Sequence, residues 1–178
     1  MSEASDSFEE FIQDAENLLN HFNTLNTLPP PPDIEVLKRA GLVMAMTAWE
    51  SYVEDRLQEA SAERLKNLND DLVAGLVARK LEIEIKQLNN PNSATTIRLF
   101  REYAFIDLES DWSWNNFEPK IVKATLDEYL KLRGQVVHRS RHGDESAPNT
   151  HPVKKADLEK VIRFLRCLVE ATENSFDS

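Results

Sequence analysis

The sequence predicts an all-α protein, a bundle of five to six helices. Apolar residues recur at helical spacing over several long stretches. Only 4 glycines occur among the 178 residues, and residues with high helix propensity such as Ala, Leu, Glu, Lys and Arg are frequent. No segment shows the strict alternation of apolar and polar residues that is typical of strands. A single domain over residues 1–178 is expected, large enough for a core without disulfides or metals.

The first predicted helix runs from Ser7 to about Asn26. Ser7 is the expected N-cap, and Glu10 three residues later completes a capping box. An apolar stripe marks the buried face of this helix and comprises Phe8, Phe11, Ile12, Ala15, Leu18, Leu19 and Phe22. Prolines 29–32 then stop the helix and form an extended linker. Such a run can also bind an SH3-like partner, but a connector is the interpretation we prefer.

The next three helices are bounded by caps and breakers. The second begins at Asp33 and reaches as far as Leu68, and small residues would let a neighbour approach closely: Ala40, Gly41, Ala45 and Ala48. The third starts near Asp70 or Asp71 and ends at the breaker in residues 89–91. Its apolar positions are Leu72, Leu76, Leu81, Ile85 and Leu88. Ser93 is the expected cap of a short fourth helix.

Residues 104–118 interrupt the helical pattern with a polar, turn-rich segment that holds Trp112 and Trp114. We interpret this segment as a loop that the two tryptophans pin to the body of the protein. The alternative is a stacking platform for a nucleobase, because aromatic faces accept bases with little sequence preference.

Two further helices complete the prediction. One starts after Pro119 and ends at about His138, and the other runs from Lys154 to about Asn174. The last helix buries Leu158, Ile162, Leu165, Leu168 and Val169. Residues 140–153 between them are expected to form a polar loop. Cys167 falls in the apolar stripe of the last helix, where packing is the expected role of a cysteine.

The charge of the chain limits the classes of partner. The formal net charge of −10 argues against a protein that coats nucleic acid by bulk attraction. One local exception is the stretch from Lys131 to His142, KLRGQVVHRSRH, which contains no carboxylate. Basic residues at a helix end also complement the helix dipole, and composition alone favours that explanation.

Compartment and cofactors are constrained as well. The N-terminus is acidic and lacks the basic start of a signal peptide, and the longest apolar stretch is too short to span a membrane. The single cysteine excludes an intramolecular disulfide. The four histidines lack metal-ligand spacing, so no metal site and no cofactor are expected. We expect a cytoplasmic protein.

Three segments carry a resemblance to a known family. They are AGLVMAMTAWESYVEDRL (residues 40–57), the stretch from NPNSATTIRLFREY to the tryptophan segment (residues 90–114), and LDEYLKLRGQVVHRS (residues 126–140). They resemble the HEPN superfamily, most closely its RiboL-PSP HEPN branch. The signature is an arginine and a histidine separated by four to six residues near a helix end, here Arg133 and His138.

The resemblance implies a homodimeric helical bundle that cuts RNA without a metal ion. Arg133 and His138 would be catalytic, and a cleft between two subunits would hold both copies of the motif. Arg139, Arg141 and His142 would bind the RNA backbone. Glu50 either orients a site arginine or is simply a structural carboxylate. An antitoxin or another partner protein is compatible with the same resemblance.

Two departures from the family pattern bear on activity. Many members place a polar residue directly after the arginine, where this chain has Gly134. Some toxins carry a tyrosine two residues past the histidine as a modification site, where this chain has Ser140. The expected function is a toxin or antiviral endoribonuclease. The alternative is an inactive module of the same fold that binds RNA, a nucleotide or a protein partner.

Overall fold

The computed structural model describes residues 2–31, 33–139 and 153–177, without the side chains of His138 and Arg139. It confirms the all-α class. The described residues form seven α-helices, namely α1 (Glu3–Leu25), α2 (Glu35–Leu65), α3 (Asp71–Gln87), α4 (Ser93–Leu99), α5 (Leu108–Asp111), α6 (Pro119–Arg139) and α7 (Lys155–Asn174). A π-helical turn, Phe100–Ala104, continues α4. The number of helices exceeds the predicted five to six because α5 lies within the predicted loop.

Helix α1 begins four residues earlier than predicted, and its cap is Ser2 rather than Ser7. The Ser2 hydroxyl accepts the Ser5 N–H at 3.0 Å. The Ser2 backbone N–H and hydroxyl in turn donate to the Glu173 carboxylate at 3.2 and 3.0 Å. A side chain at the far end of the chain therefore fixes where α1 starts, and the local capping-box pattern at Ser7 is overridden.

Helix α2 is the centre of the bundle, with α1 packed along it and α7 against both. Trp49 and Tyr52 of α2 are fully buried. Gly41 allows close approach to α7, because a Cβ at this position would lie 2.8 Å from Leu158 Cδ2. The prediction of a close helix neighbour at the small residues of α2 is thereby confirmed for Gly41.

Helix α3 begins and ends close to its predicted limits. The Asp70 carboxylate caps it by accepting the N–H groups of Leu72 and Val73 at 3.0 and 3.2 Å. Its apolar stripe is only partly covered: Leu81 is buried, whereas Leu72 and Leu76 are 74% and 62% exposed. The amphipathic pattern identified the helix, but no neighbouring element among the described residues covers its first half.

The segment 104–118 is anchored mainly by Trp112. This side chain is fully buried, and its indole N–H donates to the Thr172 hydroxyl at 3.0 Å. The anchoring role predicted for Trp112 is confirmed, and a stacking role for it is wrong. Trp114 also packs against the core, with its ring centroid 5.5 Å from that of Phe164, as predicted. Asp107 caps α5 by accepting the Glu109 N–H at 3.1 Å, which explains the extra helix.

The last two helices follow the prediction closely. Pro119 opens α6 at the position where its missing N–H costs nothing. The apolar residues predicted for α7 are buried: Leu158, Ile162, Leu165, Leu168 and Val169. Residues 140–152 of the predicted loop 140–153 lie outside the described residues. In the part of the chain that the structure describes, no helix has the length and apolar character needed to cross a membrane.

Candidate functional site

Arg133 lies on the face of α6 that is turned toward the bundle. Val122 and Leu126 are fully buried and define that face. Seven residues separate Leu126 from Arg133, which places the two side chains within about 20° of each other around the helix. The Arg133 side chain is accordingly half-buried, because it continues the apolar stripe with a charged residue.

The Nε atom of Arg133 is buried and lacks a hydrogen-bond partner among the described residues. A buried donor without a partner typically costs about 1–3 kcal/mol. Most buried polar groups in proteins are paired. The other exceptions among the described residues are Arg39 Nε and the hydroxyls of Ser61, Thr96 and Tyr103, and Arg133 is the member of this set that belongs to the arginine–histidine pair. A cation retained on an otherwise apolar stripe fits a role in binding an anion.

Gly134 leaves open space beside Arg133. A Cβ built at this position meets no described atom within 4 Å. No glycine among the described residues has a positive φ, so the helix would accept another residue at position 134. Among the described residues, neither backbone conformation nor packing explains this glycine.

The backbone of His138 and Arg139 forms the last turn of α6. In an α-helix, His138 lies about 7.5 Å further along the axis than Arg133 and about 140° around it. The side chains of His138 and Arg139, and all of Arg141 and His142, lie outside the described residues. Their assignment as site residues stays a prediction.

A set of hydrogen bonds connects α6 to the rest of the bundle. The Asp127 carboxylate of α6 accepts the backbone N–H and the hydroxyl of Ser93, both at 2.9 Å. The Trp49 indole N–H donates to the Pro91 carbonyl at 3.1 Å. These contacts fix the start of α4 between α2 and α6. Sequence reasoning missed Asp127, because a single carboxylate on a polar helix face gives no signal of a distant partner.

Glu50 stabilises the turn between α3 and α4. Its carboxylate accepts the N–H of Asn90 at 3.0 Å, and Asn90 has a left-handed backbone with φ of 52°. The contact gives Glu50 a structural role, and its predicted pairing with a site arginine stays a prediction. One helical turn away, burial together with the charges of Glu50 and Asp55 raises the pKa of Glu54.

A cavity of about 410 Å³ lies beside α6 at Tyr129. Four aromatic residues line it: Trp114 and Phe117 from the turn before α6, Tyr129 from α6, and Phe164 from α7. The Trp114 and Phe117 rings are stacked, with centroids 5.3 Å apart. Asn115, Asn116, Lys160, Arg163 and Cys167 complete the wall. We call this the aromatic cavity.

Cys167 is half-buried, and burial raises the pKa of its thiol, which favours the unreactive protonated form. Among the described side chains, no group of three or more His, Cys, Asp and Glu residues is arranged to hold a metal ion.

Comparison with known proteins identifies the family. The model of the RiboL-PSP-HEPN family matches residues 9–178. Neither the curated proteins nor the solved structures compared with the chain provide a match. The family match covers nearly the whole sequence and includes all of α2 to α7. With its all-α fold, the chain therefore belongs to the RiboL-PSP branch of the HEPN superfamily.

Proposed function

We propose that this protein is a metal-independent endoribonuclease of the toxin or antiviral-defence type, with its active site at a homodimer interface. Membership of the HEPN superfamily indicates a nuclease or an RNA-binding module, and HEPN domains often dimerise. The observation that carries the proposal is Arg133, a half-buried cation whose buried Nε has no hydrogen-bond partner in the described part of the chain. It lies beside open space at Gly134, five residues before His138.

The proposed reaction requires two proton transfers and stabilisation of negative charge. One His138 imidazole takes the proton of a ribose 2′-hydroxyl, whose oxygen attacks the adjacent phosphorus. The bond from phosphorus to the 5′-oxygen breaks, and the leaving oxygen receives a proton from the protonated His138 of the second subunit. The products are a 2′,3′-cyclic phosphate and a 5′-hydroxyl. An imidazole titrates near neutral pH and suits both transfers.

Arg133 would stabilise the charge that develops on the phosphate oxygens. Its guanidinium stays protonated at any physiological pH and offers several donors in a fixed plane. Because α6 is held by Asp127 and by its buried apolar face, the arginine backbone is positioned before substrate binds. Preorganised donors of this kind typically contribute about a hundred- to a thousandfold in rate. Arg139, Arg141 and His142 are proposed to hold neighbouring phosphates.

The test is cleavage of a single-stranded RNA by purified protein in EDTA. Arg133→Ala and His138→Ala should each lower the cleavage rate by about a hundredfold or more. Arg79→Ala and His21→Ala are matched controls, because both side chains are exposed on other helices, and they should cleave like the wild type. A substrate with a single 2′-deoxyribose should resist cleavage at that position alone.

Two results would contradict the proposal. One is equal cleavage by the wild type and both site variants. The other is cleavage that continues at the 2′-deoxy position, because the nucleophile would then be something other than the 2′-hydroxyl.

A non-catalytic RNA-binding module of the same family is the second candidate. The empty position at Gly134 favours it, because many relatives place a polar side chain there. Binding of RNA without cleavage, abolished when Arg139 and Arg141 are both changed to alanine, would support this candidate over the nuclease.

A further inference from the structure

The aromatic cavity has walls suited to a planar ring. Phe164, at its base, is almost fully buried, and the Tyr129 ring meets it edge-on with centroids 5.3 Å apart. The stacked Trp114 and Phe117 rings are both half-buried, so part of each ring remains open to solvent. A volume of about 410 Å³ lies within the range of about 300–1,000 Å³ found for small-molecule pockets.

The charge at the rim differs from that of the whole protein. Lys160 and Arg163 of α7 line the cavity and are exposed. Although the chain carries a net charge of −10, the described residues that line the cavity include no carboxylate. Acidic residues outside the lining still act on it: burial and then the charges of Asp157 and Glu128 raise the pKa of Tyr129, and burial and then the charge of Glu170 raise the pKa of Cys167. A cationic rim around an aromatic floor matches a ligand with an anionic and a planar part.

Two amide side chains stand at the edge of the cavity. Trp114 and Phe117 exchange backbone hydrogen bonds of 3.0 and 2.7 Å, which closes a tight turn with Asn115 and Asn116 at its tip. Asn115 has a φ of 45°, a conformation that asparagine tolerates better than most residues. Each amide offers both donors and an acceptor, the groups that pair with the edge of a base.

The cavity is adjacent to the proposed catalytic arginine. Tyr129 precedes Arg133 by four residues, so the two are neighbours on one side of α6, about 6 Å apart along its axis. An RNA strand with a phosphate at Arg133 could therefore place a neighbouring base in the cavity.

We infer that the aromatic cavity is a base-binding subsite for single-stranded RNA. Trp114, Phe117 and Tyr129 contact the base, and Lys160 and Arg163 contact phosphates beside it. The position of this base next to the scissile bond rests on the proposed nuclease function. The capacity to bind a base depends only on the cavity itself.

Binding is tested with an oligoribonucleotide that carries 2′-O-methyl groups, so that it cannot be cleaved. Fluorescence anisotropy of the labelled strand should show at least tenfold weaker binding for Arg163→Glu and for Phe117→Leu. Arg79→Glu makes the same charge change on α3, away from the cavity, and should bind within twofold of the wild type. Circular dichroism melting identifies any variant that fails to fold. If one does, Lys160→Glu takes its place, and it should also weaken binding at least tenfold.

The outcomes separate this inference from the proposed function. If Arg163→Glu, Lys160→Glu and Phe117→Leu fold and bind like the wild type while the wild type cleaves RNA, the subsite is wrong and the nuclease stands. If binding depends on these residues but no RNA is cleaved, the nuclease is wrong and the subsite stands. Displacement of the strand by AMP at a concentration similar to that of the strand would overturn the assignment to RNA, because a free nucleotide would then be sufficient.

Discussion

Arg133 combines two properties that oppose each other in a stable fold. Its position on the buried face of α6 favours an apolar residue, yet it carries a permanent charge and a buried Nε for which the described residues provide no hydrogen-bond partner. A protein gains no stability from such an arrangement. The proposed function uses this charge to bind phosphate, which would account for an arginine on an otherwise apolar stripe.

Gly134 offers a direct test of the space beside this arginine. Gly134→Ala should stabilise the protein by about 0.5–1 kcal/mol, because alanine is the better helix former and its Cβ meets no described atom. Urea denaturation followed by circular dichroism measures the change. Gly41→Ala is the matched control: its Cβ would meet Leu158 at 2.8 Å, so it should gain less stability or lose some. A loss of stability in Gly134→Ala would show that the space is filled.

The roles of individual residues could be predicted from the sequence only in part. Arg133 and His138 were predicted as site residues only because their spacing on one helix matches a family signature, and this assignment stays a prediction. Trp112 was correctly predicted as an anchor, since a large aromatic residue in a polar segment usually packs inward. The burial of Arg133 Nε was not predictable, because it depends on how α6 is rotated against its neighbours.

At the scale of elements, the junction between α6 and α4 is one of the contacts that hold helix α6 in the bundle. Asp127 holds both polar groups of Ser93, so one carboxylate joins a helix carrying Arg133 to the start of another. Charged acceptors make stronger hydrogen bonds than neutral ones.

Asp127→Ala should therefore lower the free energy of unfolding by about 1–2 kcal/mol. This value is toward the lower end of the range for hydrogen bonds to a charged group, because Asp127 is exposed. Asp127→Asn should lose less, since its remaining oxygen still accepts one bond. Glu128→Ala, an exposed neighbour, serves as the control and should change stability by less than about 0.5 kcal/mol. If Asp127→Ala and Glu128→Ala prove equally stable, the Ser93 contact does not hold the two helices together.

Helix boundaries were predictable where the signal is local. Asp70 caps α3 and Pro119 opens α6, as their sequence context indicates. The start of α1 was mispredicted because its cap is tied to Glu173, a partner with no local signature. The exposure of the first half of α3 was not predictable either, because a periodic pattern identifies an apolar face without specifying what packs on it.

At the scale of the whole molecule, the proposed chemistry needs two copies of the chain, because one His138 cannot act as base and acid on the same phosphate at once. We expect a homodimer in sedimentation equilibrium, and the cleavage rate per subunit should fall on dilution below the dimer dissociation constant. His138→Ala is the control, because it should dimerise like the wild type without cleaving RNA. A monomer with full activity per subunit would contradict the shared active site.

The bonds between Ser2 and Glu173 bring the beginning of α1 next to the end of α7. Because Ser2 and Glu173 are in contact, a short peptide joining residues 177 and 2 would connect α7 to α1, and the exposed residues 26–30 offer a place to open the chain. The fold is thus suited to circular permutation. In such a permutant α1 would follow α7 directly, so a cap formed across the length of the chain would become a contact between neighbouring helices.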